Sequence, residues 1–202
     1  MATELAGRCR GRWSALRTHG AWTSDQSPLV FLLYHETAFQ DLLHRNGIPV
    51  PHAYGWLDEL PAYVMDRVRG RPDFADSAVA ERDAVMAEYM RILTDIHALD
   101  VDEFEAAGIT RSASPSTPSS VGMAYFGKLY RQTKRRWDSA QFHHRDGKIA
   151  ALLDLEIGHI GDPMMDLAAF RMRDTLLNFG DFDELYGIYA DATAVDLDMA
   201  AI

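Results

Sequence analysis

Lysine is scarce in this chain. Of its 20 basic residues only Lys128, Lys134 and Lys148 are lysines, so the first 127 positions contain none. A site there that needs an ammonium group would have to use arginine, whose planar guanidinium is not its geometric equivalent. Cysteine is scarcer still. Cys9 stands alone, which excludes an internal disulfide framework and a Cys-rich zinc site and fits a reducing cytoplasm. The glycines before Gly47 are Gly7, Gly11 and Gly20, too scattered for a phosphate-covering Gly-rich loop. No apolar run approaches the roughly 20 residues that span a bilayer, and the N-terminal stretch has arginines but no continuous apolar segment. Neither a membrane nor a secretory signal is expected. Positive charge as a whole is outweighed, since 30 acidic side chains give a formal net charge of −10. Nucleic acid is therefore not an expected partner, and the one basic cluster, Arg131, Lys134, Arg135 and Arg136, reads as a solvated helix end.

What is present is enough for a core: 48% hydrophobic residues in 202 can fill one substantial domain, or a main domain and a small lobe. Residues 1–30 lack sustained periodicity and read as poorly structured. A short helix follows, with Phe39, Leu42 and Leu43 on one face, Glu36 in its first turn, a stop at Asn46-Gly47, and Pro49 and Pro51 beyond. "HAYGWLDELPAYVMDRV" reads as two strands around a polar turn at Asp58-Glu59. Val85, Tyr89, Leu93 and Ile96 recur at spacings of four, four and three, predicting a helix over 80–99, with His97 near its C-terminal end, where the dipole favours a cation. The Ser/Pro-rich stretch 110–122 reads as a flexible loop and 123–134 as a helix. "SAQFHHRDGKIAALLDLE" is strand, turn at Arg145-Asp146-Gly147, strand, because Asp-Gly between strand-like runs marks a hairpin. Asp162-Pro163 has the form of an N-cap followed by a first-turn proline, opening a helix to about Leu177. A last helix is expected near 182–190.

Asp154 sits where the apolar strand 149–153 leaves the core, a position from which a rigid scaffold presents a side chain to a cleft. Mg²⁺ is held by one or two carboxylates together with phosphate oxygens and water, so Asp154 with the amide oxygen of Gln141 across the hairpin is a candidate metal pair. Asp162 reads as a cap. Asp166, in the first turn of the same helix, is favoured by the dipole and reads as structural support. A second metal set, His143, His144, Asp154 and His159, is disfavoured because adjacent histidines on a strand face opposite ways.

Four segments carry a resemblance. "ALLDLEIGHIGDPMMDLAAF" has the form strand, Asp, loop, Gly-Asp-Pro, Asp-Leu-Ala helix. "HETAFQDLLHRNGIPVPHAYGW" has a glutamate-bearing helix and a Gly-Ile-Pro-Val-Pro strand entry, followed in order by "AYVMDRVRG" and "YMRILTDIHALDVDEF". Together they resemble the aminoglycoside phosphotransferase and choline kinase-like family, over about residues 31–190 with one gap. The resemblance implies an α+β, protein-kinase-like fold with a reduced N-terminal lobe containing a hairpin and a mainly helical C-terminal lobe. The chain would divide into a loose segment 1–30, a remnant N-lobe and linker at 31–70, and a C-lobe at 71–202 with its β-hairpin at about 140–154. It also implies Mg²⁺-dependent transfer of the γ-phosphoryl group of ATP or GTP to a small hydroxylated molecule. By position, Asp154 matches the Mg²⁺-binding aspartate and Glu36 the lysine-pairing glutamate. Gln141 matches the catalytic-loop asparagine, Met65, Asp66 and Val68 fall in the linker that contacts the base, and Asp162 and Asp166 match the structural acids.

The chain departs from the family in two places. The phosphate-anchoring lysine has no counterpart upstream of the linker. At "KRRWDSAQF" an ungapped alignment on Gln141 puts Arg136, which cannot act as a base, at the catalytic aspartate position. A loop two residues shorter puts Asp138 there, making Asp138 the candidate general base. The chain is thus expected to be N-terminally cut and internally shortened relative to the family. The competing expectation is a catalytically impaired member that binds a nucleotide or partner without transfer.

Overall fold

The structure, a computed structural model, describes residues 2–9, 12–19, 28–57, 62–109, 111, 142–155, 158–195 and 197. The 110–122 loop apart from Arg111, the 123–134 helix, the Asp58-Glu59 turn, Asp138, Gln141 and Glu156 lie outside them. Strands β1 (Ala2–Cys9), β2 (Arg12–His19), β3 (Ala53–Leu57) and β4 (Ala62–Asp66) form one antiparallel sheet in the order β1-β2-β4-β3. The loose segment expected over 1–30 is thus corrected, and the N-terminal lobe holds four strands rather than a hairpin alone. Local pattern misses β1 and β2 because a strand is selected by its cross-strand partners, and β2 finds its partner in β4, far along the chain.

Helix α1 (Pro28–Arg45) packs against β3 and β4. Pro28 at its start lacks only an N–H that would have no helical acceptor, so the helix begins earlier than expected and Glu36 lies in its interior, not its first turn. Its C-terminus closes as expected at Asn46-Gly47. Gly47 N–H bonds His44 O at 3.1 Å and Ile48 N–H bonds Leu43 O at 3.0 Å, with Gly47 at φ 80°, a Schellman closure that glycine adopts without strain. The β3–β4 pair confirms the first expected hairpin.

The helical lobe contains α2 (Val79–His97), α3 (Val101–Ala106), the hairpin β5 (Phe142–Arg145) and β6 (Lys148–Leu152), α4 (Pro163–Leu177) and α5 (Phe182–Thr193). Asp146 and Gly147, both at positive φ, make the tight β5–β6 turn. Val85, Met86, Met90 and Leu93 of α2 are buried in one cluster with Tyr186 and Tyr189 of α5, the helix α2 packs against, and with Leu167 and Phe170 of α4; burial of each large side chain contributes roughly 1.5–3 kcal/mol. Phe170 stacks on Phe179 with centroids 4.7 Å apart. A smaller cluster, Tyr63 and Met65 with Ala53 and Trp56, fills the space under the sheet. Among the described residues no helix is long and apolar enough to cross a membrane.

Candidate active site

Strand β6 ends at Leu152, and two residues later Asp154 takes the left-handed conformation, φ 66°. A side chain other than glycine rarely sits there, although aspartate and asparagine tolerate it best. The turn carries Asp154 into the wall of a cavity of about 270 Å³ that it shares with His97, His159, Asp162 and Asp166.

Helix α1 holds the segment that follows. Leu155 N–H donates to Oε1 of Glu36 at 3.3 Å, and Glu36 is fully buried. The His35 imidazole Nε2 bonds Gly158 O. Gly158 lies so close to Phe39 that an added Cβ would come within 2.7 Å of its ring carbon; only glycine permits that approach. Glu36 and Asp154, distant in sequence, are thereby joined through Leu155. Of these α1 residues only Glu36 was expected at the site; Phe39 and Gln40 lie three and four positions after it and Phe39 four after His35, spacings that one helical turn brings together, and that was the available signal.

Asp162 behaves as the expected cap, its Oδ1 accepting from Met164 N–H at 2.9 Å. Asp166 is exposed and lies in the first turn of α4. Its Oδ2 is 3.0 Å from His97 Nε2, and His97 Nδ1 is 2.8 Å from the Tyr189 hydroxyl. His97 is thus tied to named partners rather than merely favoured by a helix dipole. Burial, then the carboxylates of Asp166 and Asp162, pushes the Tyr189 phenol above its ordinary 10.0.

The expected nucleotide-contacting residues are at the end of β4 and just after it. Met65 is buried in the small cluster. The Asp66 carboxylate is engaged within its own lobe, accepting from the Tyr54 hydroxyl at 2.7 Å and from His52 N–H at 3.3 Å. Val68 is half-buried. His144 is fully buried with Nε2 bonded to Asp73 O at 2.7 Å. Among the described residues no group of three or more His, Cys, Asp or Glu is arranged to hold a metal.

Residues 25–141 match the model of the phosphotransferase enzyme family. Solved structures of similar fold include an aminoglycoside-3′-phosphotransferase of type VIII (18% identity, TM-score 0.66, 98% of this chain and 84% of that one). Another is macrolide 2′-phosphotransferase MphH from Brachybacterium faecium (16% identity, TM-score 0.64, 96% of this chain and 75% of that one). Among curated proteins, acyl-CoA dehydrogenase family member 11 from Homo sapiens is 24% identical over 205 residues, covering 80% of this chain and 26% of that protein. The counterpart from Pongo abelii is 24% identical over 183 residues, 72% of this chain and 23% of that protein. The chain thus spans about a quarter of the length of the curated relatives it matches. The solved structures bear out the α+β, kinase-like architecture, and with more than half of its length matching the family model, the chain belongs to the phosphotransferase enzyme family.

Proposed function

We propose that the chain transfers the γ-phosphoryl group of ATP or GTP to the hydroxyl of a small molecule in the cytoplasm, with Mg²⁺ as cofactor. The observation that carries this reading is the docking of the Asp154 segment on α1 through Glu36 and Leu155, which fixes a hard oxygen donor on a cavity wall. One strand-exit carboxylate fits Mg²⁺, which keeps several waters and phosphate oxygens; when bound, the ion neutralises phosphate charge. Asp154 would hold it, with Gln141 as the second oxygen donor. Asp138 would accept the acceptor's hydroxyl proton as that oxygen bonds to the γ-phosphorus and the bond to the nucleoside diphosphate breaks. The neighbours' names support a nucleotide and a polyhydroxylated acceptor, since they include a streptomycin–ATP complex and a GDP–kanamycin complex.

The missing lysine is met by Arg17 in this proposal. Its position in β2 is directly across from Tyr63 of β4. Tyr63 is buried, and its hydroxyl lies 3.5 Å from Oε1 of Gln40, one helical turn beyond Glu36. An arginine there supplies charge but not ammonium geometry. The same lack of lysine favours a second reading, a binding module without transfer.

The test is calorimetry and thermal shift with ATP and GTP, with and without Mg²⁺, followed by a phosphoryl-transfer assay over hydroxylated acceptors. At a hundredfold excess over Kd the expected rise in Tm is about 5–10 °C. Asp154→Asn, which keeps a residue tolerant of positive φ, is expected to lose the Mg²⁺-dependent part, and Arg17→Ala to weaken binding with or without the ion. Wild type that binds neither nucleotide sinks the enzyme reading. Binding without transfer, unchanged by Asp138→Ala, supports the module.

A further inference from the structure

The linker that follows β4 is bonded into the hairpin that leads to Asp154. Arg71 and His144 exchange both backbone hydrogen bonds, each 3.0 Å, so at this point β5 is flanked by β6 on one side and by the linker on the other. The His144 side chain repeats the connection. A carbonyl oxygen can only accept, so Nε2 carries a proton and donates it to Asp73 O at 2.7 Å, while the ring stacks on Phe74 with centroids 4.5 Å apart. Glu81 of α2 braces the linker, its Oε2 3.1 Å from Arg71 Nη2, and its Oε1 lies 3.8 Å from His144 Nδ1, beyond hydrogen-bond reach. Gly70 makes the approach feasible. Its φ of 139° is one that other residues rarely adopt, and an added Cβ would lie 2.7 Å from His144 O.

Across the hairpin His144 pairs with Ile149, whose N–H is taken by Glu88 of α2 at 2.7 Å. Leu152, three residues on, donates to Pro49 O at 2.7 Å, and Asp154 follows. A ladder of this kind has discrete registers and does not stretch, so the position of the linker and that of Asp154 are set together.

We propose that Gly70 and His144 are positioning residues that couple nucleotide contact at the linker to metal binding at Asp154. This rests on the phosphotransferase reading above. The coupling is read as the ratio of nucleotide Kd in EDTA to that in Mg²⁺, measured by calorimetry with ATP and with GTP on the full chain. Gly70→Ala is expected to lower that ratio about fivefold or more while the EDTA affinity changes by less than about twofold. His144→Leu is expected to do the same and His144→Gln, which restores a donor near Nε2, to recover the wild-type ratio. Should His144→Leu fail to fold, Gly70→Ala alone decides. An unchanged ratio in Gly70→Ala, or equal losses in EDTA and Mg²⁺, overturns the coupling and leaves the phosphotransferase reading standing, whereas a wild-type ratio of one overturns it together with the Mg²⁺ site at Asp154. Wild type without any nucleotide binding removes both.

Discussion

Asp166 is exposed, and because a carboxylate oxygen accepts, the proton of a neutral His97 belongs on Nε2, 3.0 Å away from Oδ2. Nδ1 must then accept, and the donor facing it at 2.8 Å is the Tyr189 hydroxyl. The phenol therefore has to stay protonated for the chain of bonds to close, consistent with its upward shift by burial first and the two carboxylates next. A raised folded-state value favours the protonated form in the fold, so this contribution is fully present below the ordinary 10.0 and is lost as pH rises from there through the higher folded-state value. Tyr189→Phe is expected to cost about 1 kcal/mol near pH 8. That difference from wild type should shrink above about pH 10. Urea melts of both proteins between these limits check it, and a difference that stays constant would show that the phenol titrates as it does in the unfolded chain.

Helix ends test the same residues as parts of elements. Asp162 caps α4 through Met164 N–H, and an N-cap aspartate contributes about 1 kcal/mol, so Asp162→Ala should lower unfolding free energy by about that amount while leaving phosphoryl transfer within about threefold. Transfer abolished in a folded Asp162→Ala protein would instead make this carboxylate catalytic. The cap was readable because Asp-Pro is a local signal, as were the Asn46-Gly47 stop, the Asp146-Gly147 turn and the four-four-three spacing in α2. Strands β1 and β2 were not, because their pairing partners rather than their own composition select them. The start of α1 was missed for a related reason: "PLVFLL" is an apolar run that local pattern cannot assign between helix and strand. At the site, Asp154 could be picked out as a carboxylate at a strand exit. The grip on its neighbours could not, since His35, Glu36 and Phe39 reach Leu155 and Gly158 across more than a hundred positions.

At the scale of the molecule, three of the connections between the sheet lobe and the helical lobe among the described residues fall on the segment 144–158. Helix α1 grips Leu155 and Gly158, the linker pairs with β5 at His144, and Pro49 accepts from Leu152. A nucleotide seated between the lobes would thus be sensed at Asp154 from more than one direction. Its approach is opposed by the whole charge of the chain, −10 against an anionic ligand. Screening of exposed charge acts over about 10 Å at 0.1 M salt, farther than a buried local contact extends but well within the range of encounter. The association rate constant for ATP is therefore expected to rise about twofold as NaCl goes from about 20 to about 150 mM, the reverse of a protein that steers anions in. Stopped-flow mixing with a fluorescent ATP analogue measures it. A rate that falls with salt would mean that a positive local potential at the nucleotide site is strong enough to override the net charge.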